Sequence, residues 1–540
     1  MKRSVSGLLP LLLFCLSLPA CITASAFFGK TVPPRQQILR FNNGTEPRSV
    51  DPHKTSGQPE INILINIFES LTVYDPKTLE PRPGVAERWE ARDEARKWIF
   101  YLRHNARWSD GRPVTAADFV YAWQRGIDPA TACTYASTLT YVKNGEAILT
   151  GKMDKSALGV HALDEYTLEV EMENPTAFFI QMTPMTVFNP LPRWVIEKWG
   201  DRWTEVDKIV TNGAFLLAEH KPYDRMVLIK NPNYWDVANV RLEKAIYLPI
   251  EDLSTNLNLY KAGETDVMMS GLIPQAFTKA IKSKRDFKLG TLFSTFYYSF
   301  NVKRKPFTDV RVRQAFNLAI DKDLIANKLY AGRGVTPAYA FTPPGVAGYQ
   351  PIEGPRYNPI EARRLLAEAG YPNGQGFPTV TVYYNTHSGI KQLTEALQQM
   401  WLQNLNVKVE MHNEEFQTFQ ARWENHDFDI CRGGWNGDYM DPNTFLSIFA
   451  TENINNHPGW VNDRYKELLI KANSELNQER RLKLLGDAEK LMISEAPFVP
   501  IYYYGMSYLK KPYIKGYEEN LLDLHPLKFV WIETEWQPES

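Results

Sequence analysis

Cysteine is scarce: four occur in 540 residues, at positions 15, 21, 133 and 431. None forms a Cys-x-x-Cys pair, which excludes a zinc ribbon or a thioredoxin-like redox motif. The nine histidines (53, 104, 161, 220, 387, 412, 426, 457, 525) include no pair at the spacing that puts two ligands on one helix face. Haem or nickel capture is thus disfavoured, and no metal or cofactor is expected. An excess of one charge is also lacking. The 61 Lys and Arg balance 62 Asp and Glu and are spread along the chain, so no basic stripe offers itself to nucleic acid. Gly-x-Ser-x-Gly, His-Glu-x-x-His and calcium-loop patterns are missing, and Gly29-Lys30-Thr31 has Ala24 where a Walker loop needs its first glycine. A secreted hydrolase would therefore have no recognisable nucleophile or metal motif, and the chain reads as a binding protein, not an enzyme. After the N-terminus no stretch reaches the ~18 apolar residues of a membrane-spanning helix.

Aromatic residues, by contrast, are plentiful. The 14 Trp, 27 Tyr and 27 Phe make up 13% of the chain, enough to line a roomy ligand cavity or to fill large cores. The length suits two to four domains at ~100–200 residues each. Lys2 and Arg3 followed by the apolar run Leu8 to Pro19 form an export signal, assigned to residues 1–20 and too short to span a bilayer. Two cleavage sites compete. Leu18-Pro19-Ala20-Cys21 is lipobox-like and would leave a lipid on Cys21, whereas Ala24-Ser25-Ala26 would release a soluble product. The first is adopted, which predicts a periplasmic protein anchored to the membrane through Cys21. Cys133 and Cys431 then remain, either as a disulfide or as two buried thiols.

Strand and helix patterns are interspersed, which predicts an α/β class. The patterning predicts a first strand at 36–41, a helix over Ile61 to Leu71, a helix capped by Thr115, and a half-buried strand over Thr167 to Met172. In the C-terminal half it predicts one helix from Asp309 to Tyr330 and another opened by Asn358-Pro359. A βαβ-like unit follows, with strands at 379–384 and 407–411 around a helix at 388–405. A last long helix over Gln478 to Ser494 precedes an apolar strand, Phe498 to Tyr504.

One stretch combines unusual features. Arg432-Gly433-Gly434-Trp435-Asn436-Gly437-Asp438-Tyr439-Met440-Asp441-Pro442 follows a strand-like run. Its glycines let another chain approach the backbone closely, Trp435 supplies a rigid apolar wall, and Asp438 puts one carboxylate at the end. Exposed backbone groups, a wall and a terminal anion suit an extended peptide with a free ammonium; a Gly-rich turn with a solvated Asp is the plainer alternative. Asp441 reads as a loop carboxylate of lesser weight.

Several segments resemble a known family. Val85-Ala86-Glu87-Arg88-Trp89, Trp98 to Arg103 and Ala106-Arg107-Trp108-Ser109-Asp110-Gly111 through Trp123 are similar to the signature of extracytoplasmic solute-binding proteins of the peptide/nickel class. So are Ser49 to His53, Thr211 to Ala214, Phe307 to Ala315 and Ala496 to Tyr504. The resemblance is closest to the oligopeptide-binding branch, with a murein-tripeptide-binding branch beside it. It implies a two-lobed periplasmic binding protein fold with an extra inserted domain and the ligand enclosed between lobes. Lobe I would comprise 36–68, 193–291 and 507–540, the inserted domain 69–192, and the second lobe 292–506. It also implies capture of short peptides for the permease of an ABC importer, by a monomer; the alternative is binding and recycling of a murein tripeptide. By resemblance Asp438 pairs with the peptide ammonium, Trp435 lines a side-chain pocket, Gly434 and Asn436 offer main-chain hydrogen bonds, and Ser56 to Gln58 form the opposing strand. Tyr135 and Phe416 line pockets, and Arg432 can hold the peptide carboxylate. The chain departs from the family pattern at Tyr330 and Ile390, where a Lys and a His are expected, and at Trp423, where an arginine is expected and Arg422 stands next door. The far end of the site therefore differs.

Overall fold

The computed structural model describes residues 26–538 apart from Ser56 and Ile454. The signal segment 1–20, Cys21 and Ser56 therefore lie outside the described residues. Strand β1 (Ile38–Asn42) leads to helix α1 (Gln58–Ile67). This helix begins three residues earlier than patterning predicts, because Pro59 suits the first turn, where its missing N–H is no loss. It ends at Ile67 because the Asn212 side chain accepts from the Glu69 N–H (3.0 Å) and donates to the Glu69 carbonyl (2.8 Å), claiming both groups for a tertiary contact.

Next come β2 (Ala86–Arg92), β3 (Lys97–Leu102), α2 (Ala116–Ile127), β4 (Val160–Asp164) and β5 (Thr167–Glu171). Helix α2 opens at Thr115, whose N–H (2.8 Å) and hydroxyl (3.1 Å) both donate to the Asp118 carboxylate. The Trp108 indole donates to the same carboxylate (3.2 Å), so the Trp-Ser-Asp-Gly signature and the helix start form one structural unit. The Ser49 to His53 motif is also structural. Buried Asp51 takes two hydrogen bonds from Arg125 of α2 (3.1 and 2.7 Å) and one from the Trp203 indole (3.3 Å).

The chain continues through β6 (Phe215–Lys221), β7 (Arg225–Lys230), β8 (Lys244–Leu248), β9 (Val267–Met268) and the long β10 (Phe287–Phe300). The span expected as one helix from Asp309 to Tyr330 is broken. Val310–Leu318 is helical, then Asp321 accepts from the Leu324 N–H (2.9 Å) and starts a new turn. Beyond it lie α3 (Pro359–Glu368), β11 (Val380–Asn385), α4 (Ser388–Leu405), β12 (Val409–Glu414), α5 (Phe416–Glu424), β13 (Ile430–Asn436), α6 (Gln478–Glu495) and β14 (Phe498–Lys510). The predicted βαβ unit is present, with β11 and β12 parallel from Val380↔Val409 to Asn385↔Glu414.

The strands of both lobes join in one eleven-stranded sheet, ordered β12-β11-β13-β10-β14-β9-β1-β8-β7-β6, with Thr336–Pro337 added against β14. Strands β10 and β14 run through both halves. Their pairing breaks where Thr291↔Gly505 gives way to Thr295↔Tyr503, so three residues on β10 face one on β14. A bulge of this kind bends and re-aims the strands, and here it sits where the two lobes meet. The inserted segment builds a separate four-stranded sheet, β2-β3-β5-β4. One core is shared by that sheet and lobe I, and the second lobe has its own cores on either face of its sheet. Cys133 and Cys431 are both free thiols, and Cys431 is fully buried in β13.

Candidate functional site: an interlobe cleft

Strand β13 pairs with β10 over its whole length, from Ile430↔Phe300 to Asn436↔Ser294, but with β11 only at Ile430 and Cys431. Among the described residues, the β11-side edge from Arg432 to Asn436 is therefore unpaired, and it leaves a row of backbone donors and acceptors free. Gly433 and Gly437 serve packing here. A Cβ would meet the Tyr297 ring at 2.5 Å in one case and the Phe293 ring at 2.2 Å in the other. Gly434 faces more open space, with the Tyr504 hydroxyl nearest at 3.4 Å.

The free edge runs into a tightly pinned turn. The Trp435 indole donates to the Thr444 carbonyl (2.7 Å), and the Asp438 N–H donates to the Thr444 hydroxyl (3.0 Å). Tyr439 is buried and stacks on Phe178 of the inserted domain, with centroids 5.5 Å apart. Asp441 is no loop carboxylate. It is buried and takes two hydrogen bonds from Arg481 of α6, at 2.6 and 2.7 Å. Three independent anchors thus hold the turn that presents Asp438.

The turn borders a cleft of about 710 Å³, lined from both lobes, the inserted domain and the interlobe crossing. Asp438, Asn436, Gln58 and Tyr135 all line it. No described residue donates a hydrogen bond to the Asp438 carboxylate or forms an ion pair with it, although Tyr74, Tyr135 and Tyr141 stand near enough to feel its charge. Burial by the cleft walls pushes this carboxyl up to about 6, even though water still reaches it through the open mouth. Gln58 donates to the Asp523 carbonyl (3.0 Å) across the cleft wall.

The remaining expected site residues lie elsewhere. Trp435 backs the turn and Gly434 sits on the free edge, while the Arg432 guanidinium donates to Asn385 (2.7 Å) and lies 5.1 Å from the Phe419 ring. None of these three lines the cleft. Phe416 is exposed at the start of α5, which buries Phe419 instead. Arg422 is held by Glu414 (2.8–3.0 Å) and by Asp427 (2.7 Å), away from the cleft. Ser56 is outside the described residues.

Tyr74, Arg333 and the Leu521-Leu522-Asp523-Leu524 wall escaped the sequence reading. No local pattern in their own segments marks any of them as lining a cleft.

Comparison with known proteins finds a match over residues 80–457 to the family described as bacterial extracellular solute-binding proteins, family 5 Middle. The periplasmic oligopeptide-binding protein OppA of Salmonella typhimurium is 38% identical over 93% of this chain and 94% of its own length. The periplasmic murein tripeptide binding protein MppA in its unliganded open form superposes with a TM-score of 0.85 at 34% identity, covering 93% and 98% of the two chains. Haemophilus influenzae OppA in complex with RPPGFSPFR reaches 0.71, also at 34% identity, over 93% and 99%. The overall similarity is thus higher to the unliganded open form than to the peptide complex.

Proposed function

Because this chain belongs to the family 5 bacterial extracellular solute-binding proteins, we propose that it captures short peptides in the periplasm, as a monomer, and delivers them to the permease of an ABC importer. Members of the family bind and do not catalyse. The carrying observation is the pairing of a free strand edge, Arg432 to Asn436, with an unpartnered carboxylate at its end, Asp438. An extended peptide adds to such an edge through backbone hydrogen bonds, largely independent of its side chains, and its ammonium meets the carboxylate. Closure of the open lobes then desolvates that contact and signals occupancy to the membrane partner. The reading divides the chain into lobe I (36–68, 193–291, 507–540), the inserted domain (69–192) and the second lobe (292–506). Arg432 would come to the ligand only on closure.

Calorimetric titration with short peptides tests the reading, and its pH dependence tests the site. Asp438 must be ionised to hold an ammonium, and its carboxyl titrates near 6, above the ordinary value. Affinity should therefore fall as pH drops from 7.5 to 5, and binding near pH 6 should release protons as the ligand pulls the carboxyl down. In the unliganded protein the sign is opposite for stability. The folded state holds this proton more tightly than the unfolded state does, so the carboxyl costs stability above pH 6 and ceases to do so below its unfolded value. Asp438→Asn should flatten the binding profile. A wild-type profile already flat between pH 5 and 7.5 would refute the assignment.

The reading extends to the membrane. The lipobox-like Leu18 to Cys21 supports a mature chain lipidated on Cys21, and no described helix is long and apolar enough to cross a membrane. Mass spectrometry of the native N-terminus should find a diacylglyceryl-modified Cys21; an unmodified chain beginning at Phe27 would show that the Ala24-Ser25-Ala26 site is used instead.

A further inference from the structure

The turn 437–441 lies in the second lobe, yet two other parts of the molecule hold it. On one side Asn436 pairs with Ser294, and the Gly437 N–H donates to the Phe293 carbonyl (2.8 Å). Phe293 and Ser294 both lie inside the bulge where β10 and β14 run from lobe to lobe. On the other side Tyr439 is buried in the core shared by lobe I and the inserted domain, not in a core of its own lobe. Its ring lies within 7° of parallel to Phe178, and the Tyr141 ring meets Phe178 edge-on, 5.5 Å away. Beside this stack the Ala177 N–H donates to the Asn473 carbonyl of the second lobe (2.9 Å). The Arg481 guanidinium carbon, whose charge pairs with Asp441, lies 5.6 Å from the Phe178 ring.

Asp438 stands between these two holds. Lobe I and the inserted domain share one core and so turn as one body against the second lobe. In a rigid rotation displacement grows with distance from the axis, so only contacts near the axis survive. The strand crossing must survive, because the backbone itself runs through it. A buried aromatic stack with a backbone hydrogen bond beside it is unfavourable to break. Those two places define a line, and the turn that presents Asp438 connects them.

Resting on the peptide reading above, we propose that Phe178 is a positioning residue for Asp438: the lobes rotate about a line through the strand crossing and the Phe178–Tyr439 stack, so the carboxylate stays in place while lobe I closes over the ligand. The inserted domain is then the second bearing of the hinge. The ligand's ammonium is captured before closure, at a carboxylate that closure does not displace, and the bound backbone is covered afterwards.

Hydrogen exchange of the protein, alone and saturated with Ala-Leu-Leu, reads the axis. The Ala177 amide should exchange as slowly with peptide as without it, whereas the amides of the free edge from Arg432 to Asn436 should slow by at least about tenfold. Titration of Ala-Leu-Leu and N-acetyl-Ala-Leu-Leu into wild type and Phe178→Ala reads the positioning. The variant should lose part of the preference for the free amino terminus, by at least about threefold, the coupling expected of groups that act through one contact. Phe178→Tyr, which keeps the ring, should retain it. A purely structural role for Phe178 would weaken both peptides alike. Thermal melting checks that the variants fold; should Phe178→Ala not fold, exchange at Ala177 in wild type still decides. Exchange at Ala177 that changes markedly with peptide, or an undiminished preference in a folded Phe178→Ala, overturns the proposal and leaves the peptide reading intact. Absence of binding of either peptide by wild type overturns the peptide reading, and the proposal with it.

Discussion

Asp438→Asn should lower the affinity for a short peptide with a free amino terminus by ~30- to 5000-fold, the usual ~2–5 kcal/mol for removing one partner of a buried charge pair. The substitution keeps the shape of the side chain and its hydrogen-bonding capacity, so the loss reports the charge. The unliganded carboxylate has no partner among the described residues and is already pushed up to about 6 by the surrounding walls. Water reaches it in this open arrangement, and closure would remove that water. N-acetylating the peptide deletes the same interaction from the other side. The two losses should therefore fail to add, because each removes one and the same contact. Calorimetry on wild type and Asp438→Asn, with free and acetylated peptide, closes the cycle. Equal binding of both peptides by wild type would mean that nothing clamps the ammonium.

Asp441→Asn should damage the protein itself. Asp441 and Arg481 have side-chain exposures of 1% and 2%, and the ion pair between them is the only one either makes among the described residues. Beyond it Asp441 accepts the Asn443 N–H (2.9 Å) and the Arg481 guanidinium lies 5.6 Å from the Phe178 ring. Breaking a buried pair by removing one partner typically costs ~3–5 kcal/mol, because the remaining charge is left stranded. For a lobe of this size that is on the order of 10 °C in melting temperature. Replacing both partners, as in Asp441→Asn with Arg481→Met, should recover a good part of the loss, since no isolated charge then remains. Asp427→Asn is the contrast. Asp427 also pairs with Arg422, but its side chain is 63% exposed, and such pairs are worth ~0–1 kcal/mol. Thermal melts of the three variants settle the order. A single Asp441→Asn variant as stable as wild type would show that the Arg481 charge finds compensation elsewhere and that the turn holding Asp438 needs no such anchor.

The two aspartates, three residues apart, show where sequence reading stops. Both look like loop carboxylates after a glycine-rich strand. What separates them is Arg481, 40 residues further along the chain, and no local pattern brings that side chain to Asp441. The same holds for Arg422 and Arg432. Each was a plausible carboxylate partner by position, yet Glu414 and Asp427 occupy the first, and the second reaches Asn385 on the neighbouring strand.

Local sequence was sufficient where the deciding contacts are local. Thr115 and Asp118 start α2, Asn358-Pro359 starts α3, and the apolar alternation of 379–384 and 407–411 around an amphipathic helix dictates a parallel βαβ unit. The Trp108 to Asp118 signature was legible for the same reason, whereas Asp51 was legible only through the family resemblance, since its partner Arg125 lies 74 residues away. Tertiary structure alone decided that β10 and β14 cross both lobes, that the edge of β13 stays free beyond Cys431, and that Tyr74, Arg333 and the 521–524 wall face Asp438. The physical reason is that a cleft between lobes is lined by residues whose own segments owe them nothing. Their neighbours across the gap come from segments up to hundreds of residues away, and only the assembled sheet sets which side chains share it.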